Sequence, residues 1–92
     1  MDLKPGDPVI SKAGRDKGKI FVVISIHEPD YVTISDGKLR KVEHPKLKKM
    51  KHVKRCGSPI MSINEKISTG EKINNSDIKK ALAAAVLEDG DI

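Results

Sequence analysis

Apolar and polar positions divide the first half of the chain into short segments of strand character. Residues 20–27 alternate so that Ile20, Val22, Ile24 and Ile26 share one face of a strand, with Phe21 and Val23 on the other. Ser25 and His27 then turn that second face polar. Before it, Val9 and Ile10 open a strand over residues 8–12, and Pro8 is tolerable at a strand start. After it, Glu28-Pro29-Asp30 is turn chemistry, and residues 31–35 (YVTIS) are almost pure β-formers. Asp36-Gly37 then has the form of a two-residue hairpin turn, predicting a return strand over residues 38–43. Leu47, Met50 and Val53 recur every third residue, which suits neither strand nor α-helix. An irregular or one-turn connection is expected there, with a short closing strand near residues 52–54. Short strands with turns between them favour a small barrel, whose closure disposes of exposed edges.

The pattern changes at Cys56-Gly57-Ser58-Pro59, which divides a barrel, residues 1–55, from a helical extension, residues 56–92. Ser62 and Glu65 match a capping box, predicting a short helix over residues 62–68 ended by Gly70. Ile78, Ala81, Leu82, Ala85 and Val86 follow the spacing of an amphipathic helix over residues 76–88. Asn75 or Ser76 is its expected cap, Asp77 suits its first turn, and Gly90 falls just past its end. The Phe21/Val23 side of the sheet is the surface this helix is expected to cover.

Composition adds three constraints. Phe21 and Tyr31 are the only aromatic residues, so the core is mostly aliphatic, and the scarcity counts against a single-strand binder that stacks bases on an aromatic platform. The formal net charge is +5, unevenly placed: residues 1–55 carry the excess of Lys and Arg, and residues 56–92 are mildly acidic. One surface facing a polyanion follows from that asymmetry. The single Cys56 fits a reducing compartment, and MDLKPGDPV lacks the apolar run of a signal peptide, so a cytoplasmic location is expected.

The positive charge concentrates in two places. Between Gly14 and Gly18, and flanking them, lie Lys12, Arg15, Lys17 and Lys19, with Asp16 the one opposing charge. Such a loop can straddle a phosphate track while its backbone N–H groups add donors. Asp16 can stabilise the loop by accepting backbone N–H bonds. The second concentration is Lys46, Lys48, Lys49, Lys51, Lys54 and Arg55, with His52 among them and Arg40 and Lys41 just before. A face rich in Lys and poor in Arg and aromatics suits shape and backbone recognition of folded RNA over base reading of a single strand. His44, His52 and Cys56 lack a fourth ligand for a structural zinc site and sit among cations. Carboxylates are scattered, and no phosphate-binding or nucleophile-elbow motif occurs. No enzymatic activity, metal or cofactor is expected.

From Gly6-Asp7 through Val9 and Ser11, and on through Gly14-Arg15-Asp16-Lys17-Gly18-Lys19-Ile20 to Val22-Val23, the chain resembles a KOW motif. Lys41-Val42, Pro45-Lys46 and Lys51-His52-Val53 resemble the basic return strand and Lys-His-Leu segment of one KOW subgroup, with Val53 in place of Leu. That subgroup comprises the archaeal and eukaryotic large-subunit ribosomal proteins with a KOW barrel and a helical C-terminal extension, and their small bacterial homologues. The helix starting Asp77-Ile78-Lys79-Lys80 is similar to theirs. The resemblance implies a mainly β fold, a five-stranded SH3-like barrel with C-terminal helices. It also implies a non-catalytic protein docking on structured RNA, ribosomal RNA in the family's case, and associated with ribosomes or translation. The sequence carries no oligomer signature, and a monomer is the default expectation. The alternative is a barrel contacting ribosomal or RNA polymerase proteins, in which the lysines serve solubility.

Overall fold

Most strands form where β-branched residues cluster; one lysine-rich strand, KLKK, is the exception. The strands are β1 (Pro8–Ser11), β2 (Ile20–His27), β3 (Tyr31–Ser35), β4 (Lys46–Lys49) and β5 (Val53–Arg55), with a one-turn 3-10 helix, Met50–His52, between the last two. Two helices follow, α1 (Met61–Thr69) and α2 (Asn75–Gly90). This computed structural model describes residues 3–90 and the side chains of residues 3–85. The strands make one antiparallel sheet in the order β4-β3-β2-β1-β5.

The sheet is curled around one of its own faces. Val9, Phe21, Val23, Val32, Ile34, Met50 and Val53 form a buried cluster without any residue of α1 or α2. Side chains from one face of a sheet can bury one another in this way only if that face is concave. The ladder nevertheless stays open: β4 and β5 are its two edges and do not pair among the described residues. A closed five-stranded barrel is therefore not formed as a continuous hydrogen-bonded ring. The 3-10 helix joins the two edges, and Met50 and Val53 plug the concave core beneath it.

The helices take the other face. Val22 packs with Ile63, Ile73, Ile78 and Leu82, and Ile20, Ile24 and Ala81 border that cluster. This corrects the expectation that α2 covers Phe21 and Val23, because curling of the sheet already buries them. A bulge between Val23 and Ser25 corrects a second point. Ile24 is the extra residue, so Ile26, opposite Val32, moves to the concave core instead of sharing a face with Ile20, Val22 and Ile24.

The predicted return strand over residues 38–43 is also absent. Asp36 Oδ1 accepts the backbone N–H groups of Lys38 and Arg40, and the Ser35 hydroxyl donates to the Arg40 carbonyl. These local bonds coil the chain where ladder bonds would have extended it. The partner of β3 is β4, with Tyr31 opposite Lys49 and Ile34 opposite Lys46. Gly37 is left-handed (φ +75°), and a Cβ there would lie 2.5 Å from the Asn75 carbonyl oxygen. The coil thus seats the start of α2: Val42 N–H donates to Asn75 Oδ1, and Asn75 Nδ2 donates to Glu43.

Both helix starts differ from expectation. Helix α1 is capped by Ile60 and makes no side-chain cap bond; Ser62 already lies inside it, so the Ser62/Glu65 box does not form. Its end is as expected, with Gly70 left-handed, its N–H on Ile67 O and Glu71 N–H on Lys66 O. At α2 the cap is Asn74, whose Oδ1 accepts Asp77 N–H while Asp77 Oδ2 accepts Asn74 N–H. Asn75 is instead spent on the coil. The helix continues through Gly90, and the side chain of Val86 lies outside the described residues.

Candidate nucleic-acid interface

The basic loop and the lysine-rich segment are far apart in sequence but adjacent in space. β1 lies between β2 and β5, with Ser11 opposite Val53, so the end of β1 delivers the loop to the 3-10 helix. Lys12 N–H donates to the His52 carbonyl at 2.8 Å. From the other edge, Lys48 Nζ donates to the Ala13 carbonyl at 2.9 Å. A third segment joins through Arg40, whose Nε and Nη2 both donate to Asp16 Oδ2, at 3.3 and 3.1 Å.

These contacts sort the candidate residues by what they do. Asp16 is 4% exposed, so its carboxylate is held inside the loop by the Arg40 guanidinium. That corrects the expectation of backbone N–H partners for this carboxylate: it is the Asp16 carbonyl that accepts Lys19 N–H. Arg40 is thereby a brace for the loop and its charge is largely spent. Lys48 is half-buried and ties β4 to Ala13. Arg55 Nε donates to Asp7 Oδ2, a fully buried carboxylate that also accepts Lys4 N–H.

The remaining cations are the ones presented outward. Lys12, Arg15, Lys17 and Lys19 on the loop, and Lys46, Lys49 and Lys51 on β4 and the 3-10 helix, are exposed and form no ion pair among the described residues. Gly14 and Gly18, both left-handed, shape the loop between them, with Gly18 N–H on the Ser11 carbonyl. His52 is half-buried beside Lys12. Two candidates stand apart from this group. Lys54, opposite Ile10, shares the face of β1 and β2 that carries Ile20, which borders the helix cluster. Lys41 lies in the coil next to Val42 and Glu43, where α2 begins.

Braces of this kind were only partly legible. Asp16 and Arg40 are separated by 24 residues, and Asp7 and Arg55 by 48. An acidic residue inside a basic loop is a usable signal for a brace; the identity of its partner is not readable without the register of β3 and β4.

The chain matches no protein-family model and no curated protein. No group of three or more His, Cys, Asp or Glu side chains able to hold a metal gathers among the described residues. No helix among them is long and apolar enough to cross a membrane.

Proposed function

We propose that this protein is a non-catalytic RNA-binding module that grips the phosphate backbone of structured RNA, ribosomal RNA in the first instance. The observation that carries the proposal is the docking of the Lys12–Lys19 region against β4 and the 3-10 helix. It sets the exposed cations of two sequence-distant segments side by side, with Arg40 and Lys48 bonded to the loop. Preformed lysines of this kind recognise shape and phosphate, not base sequence. The sequence resemblance to KOW proteins supports the same reading. We further propose that the curled sheet is an SH3-like barrel. Its first strand pairs with both second and fifth, and a 3-10 turn links fourth to fifth.

The test is charge reversal of residues whose side chains form no hydrogen bond or ion pair among the described residues. Lys17, Lys19, Lys49 and Lys51 changed together to Glu should abolish binding to a structured RNA such as a ribosomal fragment. The thermal midpoint and circular dichroism should stay close to those of the wild type. Lys48 is left in place because it anchors the Ala13 carbonyl. Retained affinity in the quadruple variant would sink the proposal. Sedimentation of the tagged protein with large ribosomal subunits, lost in high salt or after ribonuclease, locates the RNA in the cell. Migration at the top of the gradient, unaffected by nuclease, would instead favour a protein-contact role, to which the exposed Leu39, Leu47 and Met61 would contribute.

A further inference from the structure

A cavity of about 370 Å³ opens beside the lysine platform, lined by Pro29, Asp30, Lys49, Met50 and Lys51. It forms because the β2–β3 turn is tied to the 3-10 helix: Met50 N–H donates to the Asp30 carbonyl at 2.7 Å. Pro29 gives it an apolar wall, the lysine stems add more apolar surface, and Met50, whose side chain belongs to the core, closes it beneath. The Asp30 side chain is exposed and forms no ion pair among the described residues, although Lys49 and Lys51 line the same cavity.

We propose that this cavity takes a single extruded nucleobase of the bound RNA, and that the base is guanine. The inference rests on the RNA-docking reading above and assigns it a subsite. The volume lies in the range of small-ligand sites. A bare phosphate would leave the apolar walls unused and would meet the Asp30 carboxylate as a like charge. A base satisfies each feature in turn. Its face lies against Pro29 and the apolar stems of Lys49 and Lys51. The flanking phosphates fall to Lys49 and Lys51, continuous with the phosphate track. Asp30 selects among bases. An ionised carboxylate only accepts hydrogen bonds, and guanine offers two adjacent N–H donors, N1–H and the N2 amino group, to its two oxygens. Uracil offers only N3–H, flanked by carbonyl oxygens that the carboxylate repels. Bulged or looped nucleotides are the parts of structured RNA whose base edges are free for such reading.

The experiment is a titration of the ¹⁵N-labelled 92-residue chain with guanosine 5′-monophosphate, uridine 5′-monophosphate and inorganic phosphate, read by amide chemical shifts. Guanosine monophosphate should move the amides of Asp30, Lys49, Met50 and Lys51 and bind about tenfold tighter than either other probe. The Asp30→Ala variant should lose that preference while a structured RNA still binds it. Its carboxylate makes no hydrogen bond or ion pair among the described residues, so the variant should remain folded. Equal shifts with phosphate, equal affinity for the uridine nucleotide, or an unchanged preference in Asp30→Ala would each overturn the pocket. The two proposals fail separately. A pocket selective for guanosine monophosphate in a protein that does not bind structured RNA would remove the docking reading alone.

Discussion

Two glycines show how differently one residue type is constrained in this chain. Gly37 and Gly18 both have positive φ, +75° and +87°. A Cβ on Gly37 would press on the Asn75 backbone oxygen at 2.5 Å, whereas nothing lies within 4 Å of one on Gly18. Gly18→Ala should therefore cost only the left-handed backbone penalty, about 1–2 kcal/mol. Gly37→Ala adds displacement of α2 and should cost about 3 kcal/mol or more. Urea denaturation of the two variants checks the difference, and equal losses would contradict it. Arg40 provides the other residue-scale case. Arg40→Ala strands the Asp16 carboxylate inside the loop, at a cost of about 2 kcal/mol. It should also weaken RNA binding through a loosened loop. The double variant Asp16→Asn/Arg40→Ala should recover part of the stability, since the unpaired charge is gone, without restoring the brace.

At the scale of the element, the start of α2 carries a pH dependence. A backbone hydrogen bond at Asn74, then the hydrogen bond and charge of Lys66, hold the Asp77 carboxyl below its ordinary value. The Asn75 amide, helped by Glu43's own backbone and by the charges of Lys41 and His44, does the same for Glu43. A carboxyl with a depressed folded pKa contributes stability that is present above its unfolded pKa. That contribution is lost as the pH falls through the folded value. Stability should therefore drop below about pH 4, and an Asp77→Ala/Glu43→Ala double variant should show a shallower acid limb. Urea midpoints between pH 7 and 3 supply the comparison, and parallel acid limbs would rule the assignment out. Asn74→Ala removes the other half of the cap and should cost about 1 kcal/mol at neutral pH. Asn74 was not singled out in the sequence, where Asn75 and Ser76 looked equally able to cap. The choice fell to Asn74 because Asn75 is drawn away by Val42 and Glu43.

For the whole molecule the governing quantity is the placement of charge. The net charge of +5 is less informative than the grouping of the exposed lysines on the loop, β4 and the 3-10 helix. On the proposed function, each lysine that neutralises a phosphate adds about one to the slope of log affinity against log salt. Changing Lys49 and Lys51 to Ala should reduce that slope by about two. Changing Lys72 and Lys79, on the helical side of the molecule, should leave it unaltered. Salt titrations of RNA affinity across the variants provide the measurement, and a uniform effect of all four lysines would mean that net charge alone attracts the RNA.

The sequence by itself determined the strands β1, β2, β3 and β5, the one-turn connection before β5, the helices and the glycine that ends α1, because these depend on local preferences for extended or helical backbone. It also determined which segments are basic. Tertiary structure decided the rest. The coil at residues 36–45 replaced a strand because side-chain bonds from Ser35 and Asp36 competed successfully with a ladder. The bulge at Ile24 reassigned Ile26, since inserting one residue reverses every face that follows it. The curl of the sheet decided that the helices cover Val22 and not Phe21. The division of the cations into braces and presented groups depended on the same curl. Whether a lysine reaches a carbonyl or solvent is fixed by distances between segments that local preference does not encode.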